Sequence, residues 1–558
     1  MRRLLPLLPL ALALACEPAT LTRRPGPSSA EDAGTPVFPP AMGDASTPPP
    51  IPGVDGGPGV TPDGGTPTDP TDPTDPPTPD AGPPPPPPPP TDVPAGYGPV
   101  AGLELTGFEI YQTIRIPLVE NGSEVARTIP LIANKPGLLR VYVRPTGSWT
   151  SRAVTAFVRI DTGDGIQTLM ETATIGGASN VETPTSTLNL DVPRELLTPS
   201  ASISVQLIEM GGTGGSETRY PREEGEMPLD ALQNGGIDVV VVPIRYDADG
   251  SGRMPDTSTT AMNALRDHLL SMWPVSDVRI RVREAVATSS SVAPTSGQAW
   301  GSLLDAVGSI RQNDRAPGNE YYLGLFSPAD SFRSFCGGGC IAGIAPLNQG
   351  NYQSQRFGLA LGYGDENNRY SAIHELGHAH GRPHAPCGGV SGAEPGFPHS
   401  GGATGVWGYD FRNARLYNPS TKDFMGYCDP QWVSDYAYQR LHQRVVAVAG
   451  GSTLSWRMAP HHVFRLAPFQ APRWSGLVDE RIADASDGEL TMMKARDRFG
   501  RDLGWVGARR VDMSLEGFSS LLVPDVEDAA YFETTGGHLY RVASSGESIL
   551  HPLDSNVR

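Results

Sequence analysis

The run His374-Glu375-Leu376-Gly377-His378-Ala379-His380-Gly381-Arg382-Pro383-His384 fits the pattern H-E-x-x-H-x-x-G-x-x-H at every fixed position. It constrains local structure before it suggests any chemistry. On a helix, residues four apart share a face, so His374 and His378 point the same way. Gly381 can take a left-handed backbone conformation that closes the helix and turns the chain back. His384 is then brought round to the same point as the first two imidazoles. Three protein nitrogens leave one tetrahedral position open, the arrangement of a catalytic rather than a structural zinc ion. Glu375 stands between the first two histidines, where its carboxylate can act as general base on a water held by the metal. His380 follows His378 by two residues and so points off that face; it is expected to be a supporting or exposed histidine and not a ligand. The chain holds 11 histidines, too few to make a chance match at five fixed positions a comfortable explanation.

Beyond the third histidine, Asp423-Phe424-Met425-Gly426-Tyr427-Cys428 carries a Met-x-Tyr element. With the histidine motif, it makes the chain resemble the metzincin clan of zinc endopeptidases. That resemblance implies that Met425 forms the apolar methionine turn beneath the metal. It also implies that Tyr427 ligates the metal or stabilises the transition-state oxyanion. The alternative is that both are ordinary core residues of a turn. The resemblance covers about residues 237–450.

Five cysteines are present. Four of them, Cys336, Cys340, Cys387 and Cys428, form an even set in a chain that reads as exported, which points to disulfides with three formal connectivities. Pairing Cys336 with Cys340 and Cys387 with Cys428 is favoured, because the second pair would tie the segment after His384 to the methionine turn. A structural zinc site is the competing reading, but no second Cys or His pair stands at ligand spacing.

The fifth, Cys16, follows a basic start, Met1-Arg2-Arg3, and an apolar run too short to anchor permanently in a bilayer. Ala13-Leu14-Ala15-Cys16 resembles a bacterial lipobox, with Ala13 where leucine is usual. Cys16 is therefore the lipidation candidate. The expected location is outside the bacterial cytoplasm, either lipid-anchored at the outer membrane or cell surface, or secreted. Residues 17–97 follow as a Pro/Gly-rich disordered linker with eight consecutive prolines from Pro83 to Pro90. Such a sequence buries too little apolar surface to offset chain entropy.

Residues 98–232 alternate in short runs, as in Leu139-Arg140-Val141-Tyr142-Val143 and Ile203-Ser204-Val205-Gln206-Leu207, with turn residues between them. This pattern predicts a β-sandwich-like domain. Residues 233–450 change character. The apolar strand Ile237–Val242, a helix through Met262, Leu265, Leu269 and Met272, the strand Val278–Val282, a helix from Trp300 to Ile310 and the strand Tyr321–Phe326 precede the zinc helix. A helix capped by Ser434 follows the methionine turn. This order matches what the resemblance implies for a metzincin-like domain: a twisted sheet with helices, the zinc helix, the methionine turn and a C-terminal helix. Residues 451–558 return to strand alternation, as in His538–Val542, and predict a C-terminal β domain. The fold class expected is thus multidomain α+β, with the protease-like domain flanked by β-sandwich-like domains.

Asp247-Ala248-Asp249-Gly250-Ser251-Gly252 has the alternating carboxylates of a calcium loop but lacks the fifth-position Asp or Asn and the closing glutamate. A tight Asp/Gly turn is the expected reading, with calcium the alternative. The net charge of −18 argues against a nucleic-acid partner, because phosphate binding needs clustered Lys and Arg. Membrane contact is expected only through an N-terminal lipid. The function expected is a zinc metalloendopeptidase acting on extracellular protein or glycoprotein. The domain order is similar to secreted or lipid-anchored bacterial metalloproteases, the mucin-cleaving enzymes of enteric bacteria among them. The competing class is a surface adhesin or glycan-binding protein whose zinc domain has little activity, against which the intact Glu375 argues.

Overall fold

The computed structural model describes residues 92–449, 457–468, 470–482, 489–515, 518–542 and 551–552. The expected signal segment with Cys16, and the expected linker up to residue 91, lie outside the described residues. The architecture is multidomain, sheet-rich and α+β, with five α-helices among the described residues.

Two antiparallel sheets form the N-terminal part. One pairs Tyr97–Pro99, Ser202–Met210, Arg152–Asp161 and Ile166–Ile175. The other joins Leu103–Glu120, Gly137–Pro145 and Leu188–Val192, and takes in Gly408–Asp410 and Arg415–Tyr417 from far along the chain. The late hairpin explains why simple alternation fails at Arg140. This residue occupies a formally outward position between Leu139 and Val141, yet it is fully buried. Residues Trp407, Tyr409, Phe411 and Leu416 build an apolar layer over that face with Tyr111 and Leu138. The Arg140 guanidinium is satisfied there by the Tyr111 hydroxyl at 3.0 Å and the Asn189 side chain at 3.2 Å, as a buried charge requires.

The central part is built on the strand Ile237–Tyr246, whose near-continuous apolar run is covered on both faces. It pairs in parallel with Val278–Val282, Val286–Thr288 and Glu320–Phe326, and the last of these pairs in parallel with Phe357–Leu361. Gly343–Ile344 closes this edge antiparallel to Phe357–Leu361. Helices α1 (Thr259–Met272) and α2 (Gly297–Asn313) are the crossovers, α3 (Phe332–Cys336) is a single short turn, and α4 (Glu366–Ala379) and α5 (Asp435–Ala449) follow. Ser258 and Ser434 cap α1 and α5 by accepting from Ala261 N and Ala437 N at 3.2 and 2.9 Å.

One hydrophobic core runs through the N-terminal sheets and the central part, from Val100 and Phe108 to Leu269, Leu376, Trp432 and Val445. Polar side chains stitch the same junction. Trp432 Nε1 donates to the carbonyl of Thr113 at 2.6 Å, and the Thr113 hydroxyl donates to the carbonyl of Ser271 at 2.7 Å. Lys135 inserts its ammonium beneath the end of α1, donating to the carbonyls of Leu270 and Trp273. A helix C-terminus has unpaired carbonyls and a negative dipole end, so it accommodates this buried cation. Burial nonetheless pulls the Lys135 ammonium down to about 7.

The C-terminal part is a seven-stranded antiparallel sheet with its own small core of Phe464, Met493, Leu521, Val523 and Phe532. It is docked on the central part at several points. His551–Pro552 pair with Val286–Ala287, Arg465 forms a buried ion pair with Asp305 of α2, and the chain at 512–514 runs antiparallel to 345–347. Asp247 and Asp249 turn their carboxylates to Arg245 and Arg253, with the Gly250 amide donating to the Asp247 carbonyl at 3.0 Å. The segment is a tight turn.

Candidate active site

Helix α4 begins at Asp365, whose carboxylate accepts from Asn368 N at 3.0 Å, and it brings His374 and His378 onto one buried face. It ends with the hydrogen-bond pair of a Schellman motif: Gly381 N donates to His378 O at 2.8 Å and Arg382 N to Gly377 O at 2.8 Å. Gly381 has φ +93°. A Cβ there would also lie 2.7 Å from the Arg444 guanidinium and 3.0 Å from the carbonyl of Asn348. Glycine is therefore needed both for the turn and for the close approach. The chain then reverses and places His384 against the other two imidazoles.

The three rings are held in one tautomer. His374 Nδ1 lies 2.8 Å from Phe424 O, His378 Nδ1 2.7 Å from Arg382 O, and His384 Nδ1 2.8 Å from Ser391 O. A carbonyl can only accept, so each Nδ1 carries the proton and each Nε2 presents a lone pair. Those lone pairs converge: His378 Nε2 is 3.0 Å from His374 Nε2 and 3.1 Å from His384 Nε2. Burial keeps all three rings neutral, pushing His374 down to about 4, His378 well below its ordinary range and His384 lower. Three mutually facing lone pairs in a buried site repel one another and fit a cation at their centre. Among the described residues this is the one group of three or more potential ligands close enough to share an ion.

Glu375 projects from the adjoining face toward the sheet edge. Gly343 and Gly358 make room for it, since a Cβ at Gly343 would lie 2.5 Å from Glu375 Cγ and one at Gly358 would lie 3.3 Å from Glu375 Cβ. Burial raises the Glu375 carboxyl to about 8, opposed by a hydrogen bond from Ser514. A cation at the triad would oppose it further.

Below the triad, Met425 is buried in the turn that Asp423 organises. The Asp423 carboxylate accepts from the amides of Met425 and Ser434, each at 2.9 Å. Ala385 N donates to Met425 O and Tyr427 N to Cys387 O, both at 3.0 Å, so the segment that follows His384 and the turn run side by side. Cys387 and Cys428 are bonded across this pair with Cα atoms 5.7 Å apart, and Cys336 and Cys340 are bonded at the end of α3. The Tyr427 hydroxyl lies 3.1 Å from His384 Nε2 and is pushed up to about 12, chiefly by desolvation and secondarily by the nearby Glu375 charge. It shares the triad's focus.

His380 differs from one half of its expectation. It is not a ligand, but neither is it exposed: the ring is buried against Trp273, with Nδ1 2.7 Å from the Tyr321 hydroxyl and Nε2 3.2 Å from Leu441 O. It ties the end of α4 to the central sheet and to α5. In the C-terminal sheet His462 pairs with Asp525 at 2.9 Å, while His538 is an exposed loop residue; neither lies with the triad.

The triad opens into a cleft of about 510 Å³, walled by Phe332, Ile341, Tyr370, Gln431, Ser514 and Leu515. Residues 514 and 515 are the part that sequence reading did not reach. They lie in a bend just after the strand Asp502–Asp512 of the C-terminal sheet and carry no motif.

The sequence model of the Peptidase M66 family, a metallopeptidase family, matches residues 341–452, the stretch that holds the triad, Glu375, Met425 and Tyr427. The match supports a metallopeptidase. Dictomallein of Burkholderia pseudomallei (strain 1710b) and dictomallein of Burkholderia mallei (strain SAVP1) are each 24% identical to the chain over 263 residues. The aligned part is 44% of this chain and 35% of each relative, so the chain spans about a third of the length of the relatives it matches.

Proposed function

We propose that this protein is a zinc-dependent endopeptidase of metzincin type, acting outside the cytoplasm on proteins or glycoproteins. The observation that carries the reading is the convergence of three neutral Nε2 lone pairs beside a buried carboxylate on the same helix. His374, His378 and His384 would hold the zinc, which when bound supplies Lewis acidity toward water and toward a scissile carbonyl.

The chain's own residues then divide the remaining work. Glu375, packed in an apolar setting between Gly343 and Gly358, takes a proton from the attacking water and passes it to the leaving nitrogen. Tyr427 reaches the same focus with a hydroxyl that stays protonated at neutral pH, and donates to the oxygen on which charge develops. The Gly343–Ile344 edge beside Glu375 offers backbone groups along which an extended substrate can lie. Export is supported by the signal-like start and by four cysteines paired in two disulfides. Lipidation at Cys16 rests on the lipobox-like sequence.

The test is hydrolysis of casein and of mucin by the full chain with zinc analysis, comparing wild type with Glu375→Ala. Cleavage by wild type, with one equivalent of zinc in both proteins and none of the cleavage in the variant, is the expected result. Zinc binding without cleavage of any protein or glycoprotein offered would favour the adhesin reading.

A further inference from the structure

We infer that Ser514, delivered by the C-terminal sheet, is the positioning residue for the general base Glu375, so that the C-terminal domain completes the catalytic site. The inference rests on the peptidase reading and assigns a role that the motif-bearing segment does not contain.

The Ser514 hydroxyl lies 3.0 Å from Glu375 Oε2 across 139 residues of sequence. Its direction is fixed. Ala345 N donates to Ser514 Oγ at 2.9 Å, and Glu375 in the ionised form a general base requires can only accept, so the single Ser514 proton goes to the carboxylate. The backbone locks the same contact from the other side, with Ser514 N donating to Ala345 O at 2.8 Å. Met513 bridges Pro346 antiparallel, and Leu347 N donates to Asp512 O. The segment therefore continues the sheet edge directly after Gly343–Ile344, the edge against which Glu375 packs.

Rigid attachment makes this contact useful. Leu515 and Phe518 fill the space over Gly297 at the start of α2, where an added Cβ would lie 2.5 and 2.8 Å from them. The buried Arg465–Asp305 pair holds the same sheet to α2. Both Ser514 and Glu375 are buried. Among the described residues Ser514 is the side chain that hydrogen-bonds the Glu375 carboxylate. It holds Oε2 and leaves Oε1 for the reacting proton. A carboxylate without this anchor has the freedom to rotate about its terminal bonds, and a base loses rate when its oxygen is not held within hydrogen-bond reach of the proton it takes.

The experiment uses the full chain as wild type, Ser514→Ala, Ser514→Thr and Glu375→Gln. It measures kcat and KM on an internally quenched peptide taken from a casein cleavage site, zinc content, melting temperature, and the affinity of a peptide hydroxamate. Ser514→Ala is expected to lower kcat about tenfold, as loss of a partner that orients a metal-site residue does. KM should stay within about twofold, zinc content and melting should hold, and the hydroxamate should bind several-fold more weakly. Ser514→Thr, which keeps the hydroxyl, should recover most of the lost kcat. A Ser514→Ala kcat within twofold of wild type, or a loss that threonine does not recover, overturns the positioning role while leaving the peptidase reading intact. Wild type that cleaves nothing and does not bind the hydroxamate overturns both. If wild type binds the hydroxamate without cleaving, the hydroxamate affinities of the two Ser514 variants decide.

Discussion

The sulfur of Met425 rests against Gly377, the helix residue one place before His378, so closely that a Cβ on Gly377 would lie 2.6 Å from Sδ. The methionine turn and the histidine helix thus meet through a glycine backbone. In isolation Gly377→Ala should favour the helix by roughly 1 kcal/mol. Here the added methyl must displace Met425 or lift α4, and overpacking of this kind costs about 1–3 kcal/mol. The expected outcome is a net loss of stability in urea unfolding together with weaker zinc binding in competition with a chromogenic chelator. A variant that is both more stable and unchanged in zinc affinity would show that the turn does not support the helix from below.

Removal of the metal should destabilise the fold as well as stop the reaction. Three buried lone pairs that repel one another when empty are relieved by a cation, and binding to the folded state adds about 4 kcal/mol when free metal is a thousandfold above Kd. Thermal unfolding should therefore shift to lower temperature on chelation and recover on adding zinc. In His378→Ala, which removes the imidazole central to both Nε2 contacts, the chelator-dependent shift should be largely lost.

The three histidines of the proposed metal site were legible because their chemistry and their geometry are both local: a helical period fixes His374 and His378, and Gly381 fixes the return to His384. The strands and helices of the protease part were legible for the same reason, their apolar period being set by burial against one sheet. Ser514 was not. Its role depends on a β-bridge between residues more than a hundred and fifty apart, and a serine after Met513 has no periodic or compositional mark. Arg140 misleads in a related way. Its strand alternates properly, but residues 407–416 cover the outward face, which only tertiary structure can reveal. His380 was placed off the metal face by helical geometry, whereas its burial between Trp273, Tyr321 and Leu441 comes from elements distant in sequence.

Opening the Cys387–Cys428 bridge should cost both stability and zinc affinity. The two residues are 41 apart in sequence, and closure of a loop that size in the unfolded chain is worth about 4 kcal/mol in the chain-entropy description. The bridge spans the backbone pairing of 385–387 with 425–427, which carries His384 on one side and the methionine turn on the other. Cys387→Ala combined with Cys428→Ala should lower the denaturation midpoint and weaken zinc binding. The double substitution at Cys336 and Cys340, which closes a loop of sequence separation 4, should change stability much less.

Acid sensitivity should trace in part to His268. Its ring is buried on α1, edge-on to Tyr370 at 4.4 Å between centroids, and neither ring nitrogen has a hydrogen-bond partner among the described residues. Burial, with the charges of Arg412 and Arg369 adding to it, pushes the imidazole down to about 2. The folded value lies below the unfolded one, near 6.5. Above pH 6.5 both states hold a neutral ring and the group contributes no pH dependence. As pH falls below 6.5 the unfolded chain gains a proton that the folded protein refuses, so stability drops by up to about 1.4 kcal/mol per pH unit from this residue alone. His268→Phe keeps a flat ring against Tyr370 and removes the titration. Urea unfolding at pH 7.5 and pH 5.0 should show a smaller acid loss in the variant than in wild type, by roughly 2 kcal/mol. Equal losses in the two proteins would mean that His268 is protonated in the folded state at pH 5.0, and that water or a shifted side chain reaches its ring.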